Sequence, residues 1–109
     1  MLRKMECYLT KSKLEAIRDM LVSNGIEGMT VTQVQGFGTR SKKDRNGKPM
    51  FEERIKIEIV LDESLVDNVI RQIRHLAGAG TIGAGKVFVI PVEDAVRLST
   101  SEAGRSAVV

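Results

Sequence analysis

One stretch concentrates residue types suited to binding chemistry: Gly78-Ala79-Gly80-Thr81-Ile82-Gly83-Ala84-Gly85-Lys86. Closely spaced glycines let backbone N–H groups converge on an anion without Cβ interference, and an adjacent lysine adds a point charge suited to phosphate. Two phosphate-binding patterns match in spelling: Gly78 to Gly83 satisfies GxGxxG, and Gly80 to Lys86 satisfies GxxxxGK. Both fail on context. The dinucleotide pattern needs a strand before it and a helix after it, so that the helix N-terminus meets the pyrophosphate. Here the apolar spacing predicts a helix before and a strand after. The GxxxxGK loop also needs Ser or Thr after its lysine to hold magnesium, and Val87 follows Lys86. The run by itself leaves two readings open, an anion cradle or a flexible helix-to-strand connection.

Other chemistry is sparse. Cys7 is the single cysteine and His75 the single histidine, so neither an internal disulfide nor a Cys/His metal cluster can form, and no metal site is expected. Cys7 lies in an alternating apolar stretch, which suits a buried thiol. No catalytic residues are assigned. Glu58 and Glu102 could serve as bases, but neither has an identifiable partner. Thr39 to Lys48 holds five of the 17 Lys and Arg residues: Arg40, Lys42, Lys43, Arg45 and Lys48. This loop reads either as a solvated segment or as a basic surface for a partner.

Composition narrows the classes. The chain of 109 residues suits one domain, and a core of that size leaves much apolar surface for an oligomer to bury. Net charge is +3 and only 4% of residues are aromatic, so neither a dense basic face nor stacking platforms for nucleic acid are present. No apolar run is long enough to span a bilayer, and no signal-peptide pattern opens the sequence. A cytoplasmic protein without membrane insertion is the expectation.

These residues must be positioned by a few elements. Residues 3–9 alternate as a strand. Ser12 and Glu15 have the spacing of a capping box before a helix bearing Leu14, Ile17 and Leu21, which Asn24-Gly25 ends. Met29 to Val34 is a strand that runs into Gly36-Phe37-Gly38, and Asn46-Gly47 marks a turn in the polar stretch that follows. Glu53 to Leu61 is the clearest strand, with Ile55, Ile57 and Ile59 on one face and Arg54, Lys56 and Glu58 on the other. A second helix begins near Asp62 to Ser64, with Leu65, Val69, Ile70, Ile73 and Leu76 as its stripe; the glycine run and the strand Lys86 to Val92 follow. The tail from Ala103 is small and polar, which predicts mobility. The order β-α-β-β-α-β is that of an α+β, ferredoxin-like (split βαβ) domain, an antiparallel sheet with two helices on one face.

Four stretches together resemble the PII signal-transduction family of nitrogen-regulatory proteins. Gly28 to Thr32 with Gly36-Phe37-Gly38 is similar to that family's second strand and entry to its T-loop. Lys56 to Val60 is similar to the strand after the loop, Gly80 to Val89 to its B-loop and fourth strand, and Ala95-Val96-Arg97 to Glu102 to its C-terminal segment. The resemblance implies one domain over 1–109, with a T-loop at about 38–52, a B-loop at about 78–86 and a C-terminal segment at about 93–109. It implies a homotrimer that holds ADP, AMP or ATP in clefts between subunits. Thr30, Gly36 and Val60 would line the adenine pocket with Tyr8 near it. Phe37 and Gly38 would form the loop base beside the nucleotide. Gly83, Ala84, Gly85 and Lys86 would cradle phosphates, with Arg97 reaching them from a C-terminal strand. The T-loop, through Arg40, Lys42, Lys43, Arg45 and Lys48, would contact a target protein such as a membrane transporter or an enzyme.

The departures from the family pattern carry their own expectations. The T-loop is short and lacks tyrosine, so the family's uridylylation switch should be absent. Thr39 and Ser99 replace arginines, Arg40 replaces the glutamine that serves magnesium and 2-oxoglutarate, and Ala84 replaces an aspartate. Losing two cationic phosphate partners should let ADP or AMP compete well with ATP. A small anion such as bicarbonate could replace 2-oxoglutarate near Arg40, Arg54 and Lys56, although Arg54 and Lys56 also read as an exposed sheet face. A slow ATPase in the same cleft and a metal-binding trimer of the CutA type are the alternatives, with no obligatory metal in the leading reading.

Overall fold

The computed structural model describes residues 1–80 and 84–108. Its elements run β1 (Leu2–Leu9), α1 (Leu14–Ser23), β2 (Thr30–Gly36), β3 (Glu52–Asp62), α2 (Val66–Ala77) and β4 (Lys86–Val92). The strands form one antiparallel sheet in the order β2-β3-β1-β4. This is the ferredoxin-like arrangement expected from the order of elements.

Alternation decides which face is covered. Met5, Cys7 and Leu9 of β1 and Ile55, Ile57, Ile59 and Leu61 of β3 are each no more than 3% exposed. They form one core cluster with Ile17, Met20 and Leu21 of α1 and Val66, Val69 and Ile73 of α2. Both helices therefore lie on one side. The opposite side carries Lys4, Glu6 and Tyr8 of β1, Lys56, Glu58 and Val60 of β3, and Phe88 and Ile90 of β4, in register with one another.

The helix ends differ from expectation at the start and agree at the stop. No capping box forms at Ser12 and Glu15. A tight turn over Lys11–Lys13 precedes α1 and is closed by Lys13 N–H donating to the Thr10 carbonyl at 3.1 Å, so the chain begins to wind before Ser12 can cap it. Ser12 Oγ instead lies 3.3 Å from Thr10 Oγ1. At the other end, Ile26 N–H donates to the Leu21 carbonyl and Gly25 N–H to the Val22 carbonyl, each at 3.0 Å, and Gly25 takes φ +80°. This is the Schellman stop, and it buries Ile26 against the core. The same two-bond pattern closes α2, with Ala79 N–H on Arg74 and Gly78 N–H on His75. The second helix opens through Asp62, whose carboxylate accepts from the Ser64 N–H at 3.0 Å and the Ser64 hydroxyl at 2.5 Å, lowering its pKa.

The C-terminal segment corrects one expectation. Arg97 lies in a hairpin, not a strand: Val96 bridges Ala103, Arg97 N–H donates to Glu102 at 2.7 Å and Gly104 N–H to Ala95 at 2.7 Å. The Asp94 carboxylate holds the base of this hairpin, accepting from the Ala95 N–H at 2.8 Å and the Gly104 N–H at 3.2 Å. From Ala103 the chain continues into a 3-10 turn over Gly104–Ala107. Among the described residues, no helix is long and apolar enough to cross a membrane.

Candidate functional site

The end of the glycine run is fixed by a backbone collision. Gly85 has φ +100°, and a Cβ there would fall 2.0 Å from the Tyr8 carbonyl oxygen. Only glycine fits where the loop enters β4 so close to β1. That approach puts Lys86 in register with Tyr8, whose other neighbour is Lys56 of β3. Thr32 completes the row across β2. Lys86 and Lys56 therefore lie on either side of Tyr8 in one cross-strand row, on the face the helices leave open. Tyr8 also meets Phe88 edge-on, with ring centroids 6.0 Å apart. Gly78 belongs to the helix stop, while Gly83 falls outside the described residues. Ala84 is half-buried, and Ala84, Gly85 and Lys86 form a continuous approach to the Tyr8 row.

The remaining expected site residues are spread along the sheet. Thr30 is in register with Glu58 and lies one row from Tyr8, and Val60 is one row further. Gly36 is at the opposite end of β2, paired with Glu52. Thr30 and Gly36 are thus about 20 Å apart at strand rise, and a single chain does not bring both to one ring. Phe37 leaves the sheet to stack edge-on against Phe51 at 5.5 Å. Gly38 N–H donates to Ser41 Oγ at 2.8 Å, shaping the first bend of the loop. Arg97 Nε approaches Glu102 at 3.4 Å within the terminal hairpin.

The basic loop has a defined form. Lys43 bridges Pro49, Met50 N–H donates to Lys42 at 2.8 Å, and Gly47 turns the tip with φ +77°. The Asp44 carboxylate accepts from Asn46 N–H at 2.8 Å and Lys48 N–H at 3.0 Å. The acid is consumed by the turn, while Arg40, Lys42, Lys43, Arg45 and Lys48 stay exposed or nearly so. Of the small-anion candidates, Arg54 is held by Glu52 at 2.6 Å and Lys56 by Glu58 at 3.3 Å. Arg40 stands apart from both in the loop. At the centre of the open face Lys4 joins Glu58 at 2.7 Å and Glu6 at 3.2 Å. The Glu58 and Glu6 carboxylates raise the Lys4 pKa, and Lys4 and Lys56 lower that of Glu58. Burial pushes the Cys7 thiol up to about 11, which keeps it protonated and unreactive at neutral pH. Among the described residues, no group of three or more Cys, His, Asp or Glu side chains could hold a metal.

One feature escaped the sequence reading. A cleft of about 380 Å³ opens at the root of the basic loop, lined by Lys11, Gln33, Gln35 and Glu53, with Val34, Arg54 and Ile55 completing it. The available signal was the i, i+2 spacing of Gln33 and Gln35, two polar residues on the helix-facing side of a strand.

The family described as nitrogen regulatory protein P-II matches residues 2–102. Nitrogen regulatory protein P-II of Azospirillum brasilense is 38% identical over 112 aligned positions, covering 98% of this chain and all of the relative. The Synechocystis protein of the same name is 37% identical with the same coverage. Among solved structures, a crystal structure of Arabidopsis thaliana PII bound to citrate superposes with a TM-score of 0.81 at 34% identity, covering 98% of this chain and 89% of that one. The matches over nearly the whole chain and the superposition agree with the four stretches that carried the resemblance, and the chain belongs to the nitrogen regulatory protein P-II family.

Proposed function

We propose that this chain is a signal-transduction regulator without chemistry of its own. It assembles as a homotrimer, binds ADP, AMP or ATP between subunits, and reports occupancy to a target protein through the T-loop over 38–52. The observation that carries this reading is the Gly85 approach to Tyr8, which sets Lys86 in register with Tyr8 at the end of a glycine-rich loop. A lysine at the end of a glycine-rich loop suits phosphates, and Lys86 is the cation in this row not held by Glu58. The separation of Thr30 from Gly36 favours a cleft shared by two copies, one supplying Thr30 and Val60, the other Gly36, Phe37, Gly38 and the B-loop. Arg97 then adds a phosphate contact from the terminal hairpin. Bound nucleotide biases the T-loop conformation, and so its affinity for a partner such as a transporter or an enzyme.

A small anion such as bicarbonate is the second ligand in this proposal. Arg40 supplies its main contact, because Arg54 and Lys56 already serve Glu52 and Glu58 and an anion has to compete with those carboxylates. Calorimetry with ATP, ADP and AMP tests the core of the reading, with Lys86→Ala weakening binding about ten-fold or more through loss of a charge-assisted contact. Absence of binding by all three nucleotides, or indifference to Lys86→Ala, rejects it. Steady nucleotide turnover abolished by Lys86→Ala favours an ATPase instead.

A further inference from the structure

We infer that the cleft at the root of the T-loop is a binding site for a small zwitterionic amino acid. Its volume of about 380 Å³ falls in the range of small-molecule pockets. Its lining carries both charges. Lys11 comes from the turn before α1, Glu53 from β3, and Gln33 and Gln35 from β2. Gln35 is in register with Glu53 and Gln33 with Ile55, so the polar groups rim an apolar floor. Lys11 and Glu53 face the same cleft without forming an ion pair, and the side chains of Gln33 and Gln35 have no hydrogen-bond partner among the described residues. Arg54 belongs to the opposite face of β3, where it is committed to Glu52 at 2.6 Å and to the Glu53 carbonyl at 3.0 Å.

This lining selects by charge. A dianion meets Glu53, a simple cation meets Lys11, and a neutral molecule leaves two charged groups unmatched. An α-amino acid offers its carboxylate to Lys11 and its ammonium to Glu53, and the two glutamine amides can donate to and accept from the remainder. The site is distinct from the nucleotide reading: Gln33, Gln35 and Glu53 lie on the helix-facing side of the sheet, whereas Tyr8, Lys56 and Lys86 lie on the other. Gln35 and Glu53 are also one pair before the last in the ladder, where β2 and β3 part into the loop. An occupant spanning them ties together the two roots of the T-loop.

The test is calorimetry of the full chain with a panel of common amino acids, each compared with its N-acetyl and methyl-ester derivatives. Lys11→Ala and Glu53→Gln change exposed side chains, and thermal melts verify that each variant is folded. We expect at least one free amino acid to bind, with affinity falling about ten-fold or more when either charged end is blocked or either variant is used. Lys86→Ala leaves that binding unchanged, which separates it from the nucleotide site. No binding of any free amino acid up to tens of millimolar overturns the inference. So does equal binding of the blocked derivatives, insensitivity to both variants, or loss of binding in Lys86→Ala.

Discussion

Gly25 and Gly85 share a positive φ but need glycine for different reasons. Nothing lies within 4 Å of a Cβ at Gly25, so Gly25→Ala carries only the cost of the left-handed conformation, about 1–2 kcal/mol. Denaturant titration should show that loss with nucleotide affinity intact. Gly85→Ala adds a methyl 2.0 Å from the Tyr8 carbonyl, so β4 and β1 must separate. It should cost more stability than Gly25→Ala and weaken nucleotide binding in the same calorimetric assay. Equal effects of the two substitutions on both measurements would contradict this distinction. The Lys4–Glu58 pair gives a pH signature at the same scale. Glu58 has a lowered pKa, so its contribution is present above the ordinary carboxylate range and is lost as pH falls through the depressed value. Lys4 has a raised pKa, so its contribution holds below the ordinary lysine range and is lost only as pH rises through the elevated value. Lys4→Met should move the Glu58 titration, followed by carboxyl NMR, upward toward the usual range.

The T-loop hairpin shows how one side chain can hold an element. Asp44 satisfies two tip N–H groups, and the bridge between Lys43 and Pro49 lies just outside them. Asp44→Ala should raise amide hydrogen exchange across 43–49 while leaving the core strands protected, because the loop adds nothing to the buried cluster. Unchanged exchange at those amides would show that the bridge alone holds the tip. The Asn46-Gly47 turn was legible in the sequence, as were the period-2 isoleucines of β3 and the glycine stop of α1, since each follows from local steric or burial rules. The Ser12–Glu15 cap was misread because the spacing cannot report that Thr10 starts a tight turn first. The hairpin after β4 was missed because its pairing rests on one bridge and a few backbone bonds, with no alternation to announce it. The candidate site was legible where glycine and lysine adjoin. The cleft was not, because Lys11 and Glu53 are distant in sequence and meet only through the register of β2 with β3 and the turn before α1.

At the scale of the whole molecule, one face of the sheet has no helix over it. The chain measures 54 × 25 × 21 Å, and its open face combines a central ion network with an apolar margin on the edge strand β4. Phe88 is 50% exposed and Ile90 38%, a large apolar offering for a domain this small. Burying that margin against another copy would cover the edge strand and supply the second chain that the proposed nucleotide cleft needs. Ile90 is the position that tests assembly without touching the proposed ligand contacts. It is in register with Lys4, so Ile90→Lys places two ammonium groups side by side in place of an apolar contact. We expect light scattering to report a single chain for this variant where the wild type gives three. Its far-UV circular dichroism should stay unchanged, because Ile90 lies outside the buried cluster. Nucleotide affinity should fall with the loss of assembly. A variant that stays trimeric would place the interface elsewhere, and a monomer that binds nucleotide as tightly as the wild type would return the whole site to one chain.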